Sequence, residues 1–338
     1  MTSIPPSLSS GPGTSRMPLA AARVILETCP PTLAGRDQAY AILGRLLSQY
    51  GAFEAISIPD IQDEGEFHRQ RARLSSHQFA LWLRKLTGKP LSLYKVCSTC
   101  TREEFQQWLT EAEDLGCREL FLVGPDSSSK RCKTGALQVG EAAGLARERD
   151  FRCGGVIIPT RRRQFVPRPA TVDEAVRIET KIREFGFSFF TTQIIYESEW
   201  MCCLLLDLVR RLRPEEMPRI FLTLSPFVHG RDIEFAKNFL GIYLPAEVER
   251  TLRRGRSMRE ASLSCLQGVW ERIVTFAGAI DFPPERLGVN AEYIDSRNPR
   301  NVEAAFELAE SFGRMLNIRE AEKTVPATTS TELGEGGK

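Results

Sequence analysis

Residues 91–123, LSLYKVCSTCTREEFQQWLTEAEDLGCRELFLV, hold one complete unit of the fold. Leu91 to Cys97 is a short apolar run of strand length. Thr101 and Glu104 then have the spacing of a capping box, in which each side chain satisfies an orphan backbone N–H at a helix start. Phe105, Trp108, Leu109, Ala112 and Leu115 follow at intervals of three and four, the spacing of one helix face. Gly116 stops the helix, as glycine does where a left-handed residue is required, and Glu119 to Val123 is a second apolar run. Strands that are apolar on both faces belong to parallel sheets covered by helices on the outside.

The same alternation extends in both directions. Apolar runs occur at Arg23 to Thr28, Glu54 to Ile58, Gly154 to Ile158, Ser188 to Ile195, Arg219 to Leu224 and Leu287 to Glu292, eight in all with the two already quoted. Thr171 and Glu174 repeat the capping pattern ahead of Ala175, Ile178, Ile182 and Phe185, with Gly186 as the stop. Val302, Ala305, Phe306, Ala309 and Phe312 make a third stripe. Eight strands alternating with helices, joined by right-handed crossovers, predict an α/β protein. It is read as a single (β/α)8 TIM barrel over residues 21–318, with a doubly wound open sheet as the alternative. Longer helical excursions are expected around residues 66–88 and 231–280. Residues 1–20, rich in Pro, Ser, Gly and Thr, and residues 319–338 read as disordered tails.

Composition narrows the function classes. The 338 residues carry 45 basic and 43 acidic side chains, a net charge of +2. A nucleic-acid binder shows a stronger basic excess or a basic stripe, so no nucleic-acid partner is expected. No apolar run approaches the ~20 residues that cross a bilayer, so no membrane association is expected either. The nine cysteines are scattered, which reads as a reduced cytoplasmic protein with thiols buried as small apolar groups. Cys97 and Cys100 form a lone CxxC, and no spacing links them to His68, His77 or His229. A metal site is therefore not expected. Neither a P-loop, nor GxGxxG after a strand, nor a GxSxG elbow occurs. The outer helices carry enough leucine and phenylalanine for a homo-oligomer interface, which core packing explains equally well.

In a (β/α)8 barrel the active site is built at the C-terminal ends of the strands. Glu27 ends the first run and shares a face with Ile25. A carboxyl in that position is desolvated, which favours its neutral form and suits a general acid near neutral pH. The other reading is a buried glutamate paired with a barrel cation such as Lys95. Gln193 ends the sixth run; its amide can read a heterocycle edge or simply hold a loop. Asn290 and Glu292 stand at the end of the eighth run. The loop Gly124 to Lys133, which contains Asp126, and the run Arg161 to Arg163 could receive phosphates, or be solvated charge.

Leu26-Glu27-Thr28-Cys29-Pro30-Pro31, Thr192-Gln193 and Leu222-Thr223-Leu224-Ser225-Pro226 together resemble motifs of the methylenetetrahydrofolate reductase family, over roughly residues 20–317. The resemblance implies a flavoprotein oxidoreductase of one-carbon metabolism, feeding methionine biosynthesis. FAD would sit at the barrel top, NAD(P)H would reduce it, and methylenetetrahydrofolate would become methyltetrahydrofolate. By the same carry-over Glu27 would protonate the folate nitrogen, Asp126 would act beside it, and Gln193, Asp126, Asn290 and Glu292 would bind the folate. Gly124, Asp126, Tyr94, Pro159, Arg162 and Lys181 would line the cofactor site. The chain departs from the family pattern around the flavin. The Arg-Gly-Asp loop reads Val123-Gly124-Pro125-Asp126, Pro-His reads Leu93-Tyr94, the aromatic-Pro reads Ile158-Pro159, and the phosphate lysine falls one position from Lys181. Two further readings follow from those departures: a flavin-free reductase passing hydride directly from NAD(P)H, and a non-catalytic folate-binding or interaction barrel.

Overall fold

Side chains on a strand point alternately to its two faces, and in the computed structural model the first strand sorts its residues accordingly. Val24 and Leu26 join the large apolar layer between strands and helices, whereas Ile25 joins a smaller cluster with Ala55, Tyr94, Phe121, Phe189 and Phe221. The same division runs around the sheet, which is a closed eight-stranded barrel with every neighbouring pair parallel. The structure describes residues 22–61, 72–124, 135–160 and 173–324, with side chains described to residue 317.

The strands are β1 (Val24–Glu27), β2 (Ala55–Ile58), β3 (Leu91–Val96), β4 (Glu119–Val123), β5 (Arg152–Ile157), β6 (Phe189–Thr192), β7 (Arg219–Leu224) and β8 (Leu287–Ala291). The helices are α1 (Arg36–Gln49), α2 (Ser76–Thr87), α3 (Arg102–Asp114), α4 (Val139–Arg147), α5 (Glu174–Arg183) and α6 (Glu199–Arg211). They continue with α7 (Gly230–Asn238), α8 (Ala246–Arg254), α9 (Met258–Ala279) and α10 (Pro299–Thr324). The expected excursion at 231–280 is the set α7, α8 and α9. Of the excursion at 66–88, α2 is described, and residues 66–71 lie outside the described residues.

The unit at 91–123 folds as its sequence dictates. The Thr101 hydroxyl accepts from the Glu104 N–H, the Glu104 carboxylate accepts from the Thr101 N–H at 2.8 Å, and Gly116 has φ +64°. Phe105, Leu109 and Ala112 are buried. Three expectations need correction. The α5 cap is Asp173, whose carboxylate accepts from Ala175 N at 2.9 Å, and not Thr171, which lies outside the described residues. The sixth strand ends at Thr192 and not Ile195, because Ile195 N turns to the Thr223 carbonyl of the neighbouring strand. α10 runs to Thr324, past residue 318, through the helix-forming run Arg319-Glu-Ala-Glu-Lys323.

Aromatic rings fill the barrel's lower interior because glycines make room for them. A Cβ on Gly154 would stand 2.2 Å from the Phe189 ring, and one on Gly288 would stand 2.8 Å from the Phe221 ring. Phe121 packs edge-on against Phe189 at 5.0 Å and is stacked on Tyr94 at 4.4 Å. Below them, Arg219 donates to the Ala22 carbonyl at 2.6 Å and lies over Phe221. Burial, with Arg286 nearby, lowers its pKa to about 10. The barrel is thus plugged at the bottom, and the polar residues of its interior collect toward the strands' C-terminal ends.

Candidate functional site

Glu27 is the last residue of β1 and is 7% exposed. Its Oε2 accepts two hydrogen bonds, from the Tyr94 hydroxyl on β3 at 2.9 Å and from Asn290 Nδ2 on β8 at 2.8 Å. Ser57 on β2 also hydrogen-bonds the carboxyl. Asn290 extends the network. Its Nδ2 lies 3.2 Å from Thr223 Oγ1, its Oδ1 accepts from Ser57 at 3.4 Å, and Thr223 and Thr191 share a 2.7 Å hydroxyl contact. Three other strands thus reach a single carboxyl, and β6 and β7 join them through Asn290. Each contributes because the register brings its inward-facing residue to this level, as Glu27↔Ser57 and Thr223↔Asn290 show.

The electrostatics follow from that burial. Desolvation raises the pKa of Glu27, and the hydrogen bonds from Asn290, Tyr94 and Ser57 oppose the rise without cancelling it. Glu292, just past β8, keeps part of its surface exposed. Desolvation around its carboxyl, and then the charge of Glu27, push it well above the usual carboxylate range. Two carboxyls that disfavour each other's charge hold a proton at pH values where an isolated glutamate has lost its own. The Tyr94 phenol is raised well above 10 by burial and then by Glu27, so it stays a donor. Chemically, the cluster can give a proton to a base at the mouth and can bind groups that offer hydrogen-bond donors.

Glu27, Asn290, Glu292 and Tyr94 are therefore brought together, with Tyr94 bonded to the acid. Lys95, considered above as a partner for Glu27, is paired with Asp60 at 3.3 Å and lies over Trp108, on the helix side of the sheet. Gln193 donates Nε2 to the Leu240 carbonyl at 2.6 Å, tying the end of β6 to the segment after α7. Gly124 follows β4 directly, and Pro159 stands two residues past the end of β5. Lys181 sits in the last turn of α5. Its ammonium lies 3.4 Å from the Val156 carbonyl and over the Phe187 and Phe190 rings, in the layer between β5 and α5. Asp126, Ser127 to Lys133, and Arg161 to Arg163, including Arg162, lie outside the described residues.

These placements bear on a flavin. Of the residues assigned to one by resemblance and placed by the structure, Tyr94 spends its hydroxyl on Glu27 and its ring face on Phe121, and the Lys181 ammonium lies between sheet and helix rather than inside the barrel.

The sequence reading missed Ser57, Thr191 and Thr223. The available signal was their inward position, since Thr191 shares a face with Phe189 and Thr223 with Phe221. It also missed two buried tyrosines behind the mouth. Tyr293 bonds Thr28 Oγ1 at 2.7 Å and accepts from Cys29 N at 2.8 Å. Tyr196 donates to the Ser225 carbonyl at 2.7 Å and contacts Ser262 Oγ at 2.6 Å. The CxxC pair is buried and unbridged, with the Cys97 thiol pushed up to about 12 by burial. Among the described residues no cluster could hold a metal ion, and no helix is long and apolar enough to cross a membrane.

No family model matches the chain, and no curated protein does. Solved structures do match. A tryptophan synthase complex from Pyrococcus furiosus aligns over 74% of this chain and 98% of its own at 14% identity. Its TM-score of 0.41 is too low to compare sites. An uncharacterized protein from Clostridium thermocellum that binds two copies of 5-methyl-5,6,7,8-tetrahydrofolic acid aligns over 87% of this chain and 96% of its own, with a TM-score of 0.68. At 21% identity, the likeness between the two chains is one of fold.

Proposed function

We propose that this barrel binds a reduced folate at the C-terminal ends of its strands and reduces a folate-bound methylene group to methyl, with NAD(P)H as hydride source and Glu27 as acid. The observation that carries the reading is the carboxyl of Glu27, buried at the end of β1 and kept toward its neutral form beside Glu292. In methylenetetrahydrofolate the one-carbon unit bridges two nitrogens. Protonation of N10 by Glu27 lets the carbon–N10 bond break, and the resulting N5 iminium accepts hydride at its carbon. Glu27 leaves the step as a carboxylate, stabilised by Tyr94, Asn290 and Ser57. The folate ligand of the Clostridium thermocellum protein, which shares this fold, supports the choice of substrate class.

The placement of Tyr94 and Lys181 favours a second form of the same reading, in which hydride passes from the reduced nicotinamide directly to the folate without FAD. The deciding experiment is calorimetric titration with 5-methyltetrahydrofolate, together with NADH or NADPH oxidation in the presence of methylenetetrahydrofolate. An absorbance spectrum from 300 to 550 nm accompanies both. Saturable binding with one methyl product per nucleotide oxidised supports the reductase. A colourless active protein selects direct transfer, and a stoichiometric flavin spectrum selects FAD. Binding without turnover leaves a folate-binding protein, and absence of binding overturns the reading.

A further inference from the structure

Tyr94 and Asn290 reach Glu27 from strands on either side of β1, and both address the same oxygen, Oε2. We propose that these two are positioning residues that decide which oxygen of Glu27 holds the acid proton, leaving it on Oε1. The proposal deepens the reading above and rests on it for the proton's use, though not for the proton's location.

A neutral carboxyl has one oxygen that accepts and one that carries hydrogen. An oxygen already receiving a phenol O–H and an amide N–H has its lone pairs engaged and has no room for a proton of its own. The Asn290 amide nitrogen carries hydrogen only and cannot accept, so a proton on Oε2 would meet it donor to donor. The Tyr94 phenol stays protonated, through burial and then Glu27, and so keeps a hydrogen to give, and the Asn290 amide is oriented by Thr223 near its Nδ2, with Ser57 Oγ 3.4 Å from its Oδ1. The arrangement also differs from a simple buried pair, because among the described residues no cation takes part. Among the described residues, the groups facing Glu27 are Ser57 from β2, Tyr94 from β3, Asn290 from β8 and Glu292 just beyond it, with Thr191 and Thr223 behind Asn290. Of these only Tyr94 and Glu292 titrate. Both donors favour the carboxylate that remains after the proton leaves Oε1, so they ease its departure as well as directing it.

The test is the titration of Glu27 itself, read by carboxyl ¹³C NMR in a Glu292→Gln background, where one carboxyl of the pair remains. Glu27→Gln assigns the signal. Tyr94→Phe keeps the ring on Phe121 and removes only the hydroxyl. The midpoint of Glu27 is expected to rise by about one pH unit, the worth of one hydrogen bond to a charged group. The alkaline limb of the pH–rate profile moves with it. An unchanged midpoint overturns the proposal. Should Tyr94→Phe not fold, uniform 3-fluorotyrosine labelling makes the phenol a stronger donor. The midpoint then falls if the proposal holds and stays if it does not. No ligand enters the titration, so failure to bind 5-methyltetrahydrofolate would remove the proposed function and leave this result standing.

Discussion

Tyr94 donates to Glu27 across 2.9 Å although a whole strand, β2, separates them in the barrel wall. The small Ser57 on the intervening strand, in register with Glu27 on one side and with the equally small Ser92 on the other, makes that reach possible. Glu27 is consequently held by its own barrel and needs no bound ligand to be oriented. Such pre-organisation lets an acid act without reorganising first.

If Glu27 is the proton donor, Glu27→Gln keeps its shape and its contact with Tyr94 but cannot supply the proton. Turnover is expected to fall by about 10²–10⁴-fold, the usual worth of a general acid. Affinity for 5-methyltetrahydrofolate should stay within a few-fold, measured by calorimetry alongside steady-state rates. Turnover equal to that of the unsubstituted protein would remove Glu27 from the chemistry.

Lys181 separates two accounts of nucleotide binding. Its ammonium is packed against the Val156 carbonyl and two phenylalanine rings between sheet and helix. Lys181→Met retains most of that packing volume. Nucleotide affinity, followed by fluorescence titration, is expected to change by less than about twofold, whereas a phosphate contact would be worth about tenfold or more. A tenfold loss would mean that the lysine reaches phosphate after all.

The fold was legible because short, continuous apolar runs alternate along the chain with stripes of period 3.6, with clear stops at Gly116 and Gly186. Glu27 was legible for a similar reason, as a carboxyl at the end of a wholly apolar run. Its partners were not. Tyr94, Asn290, Ser57 and Thr223 lie on four other strands, and the register that levels them with Glu27 is a property of barrel closure, invisible in any one segment. Gln193 shows the converse. Its motif pointed to ligand recognition, but its amide reaches the Leu240 carbonyl, because the segment after α7 returns over the end of β6.

Gly154 marks where the interior is tightest. An added Cβ would meet the Phe189 ring at 2.2 Å and the Phe189 carbonyl at 2.7 Å, and backbone cannot move away as a flexible side-chain tip can. Gly154→Ala should destabilise the protein by about 1–3 kcal/mol or more, the cost of overpacking a filled core. Gly144, where an added Cβ would meet nothing within 4 Å, is the control. Gly144→Ala lies within α4 and should be neutral or stabilising by up to about 1 kcal/mol. Urea denaturation of both variants tests the contrast, and equal midpoints would contradict the packing.

Glu292 gives the clearest pH signature. Its carboxyl titrates well above its ordinary value in the folded chain, through burial and the Glu27 charge. The folded state therefore binds a proton that the unfolded chain has released, and stability falls as pH rises above the unfolded value near 4.5. Below that value both states are protonated and nothing is lost. Glu292→Gln is neutral throughout and escapes the penalty. It should match the unsubstituted protein near pH 4 and gain over it steadily toward pH 8, by a few degrees in Tm. The gain should be smaller in a Glu27→Gln background, where the repelling charge is gone. Thermal unfolding across that range in the two backgrounds measures it. A difference that does not change with pH would show that Glu292 carries no excess proton in the folded state.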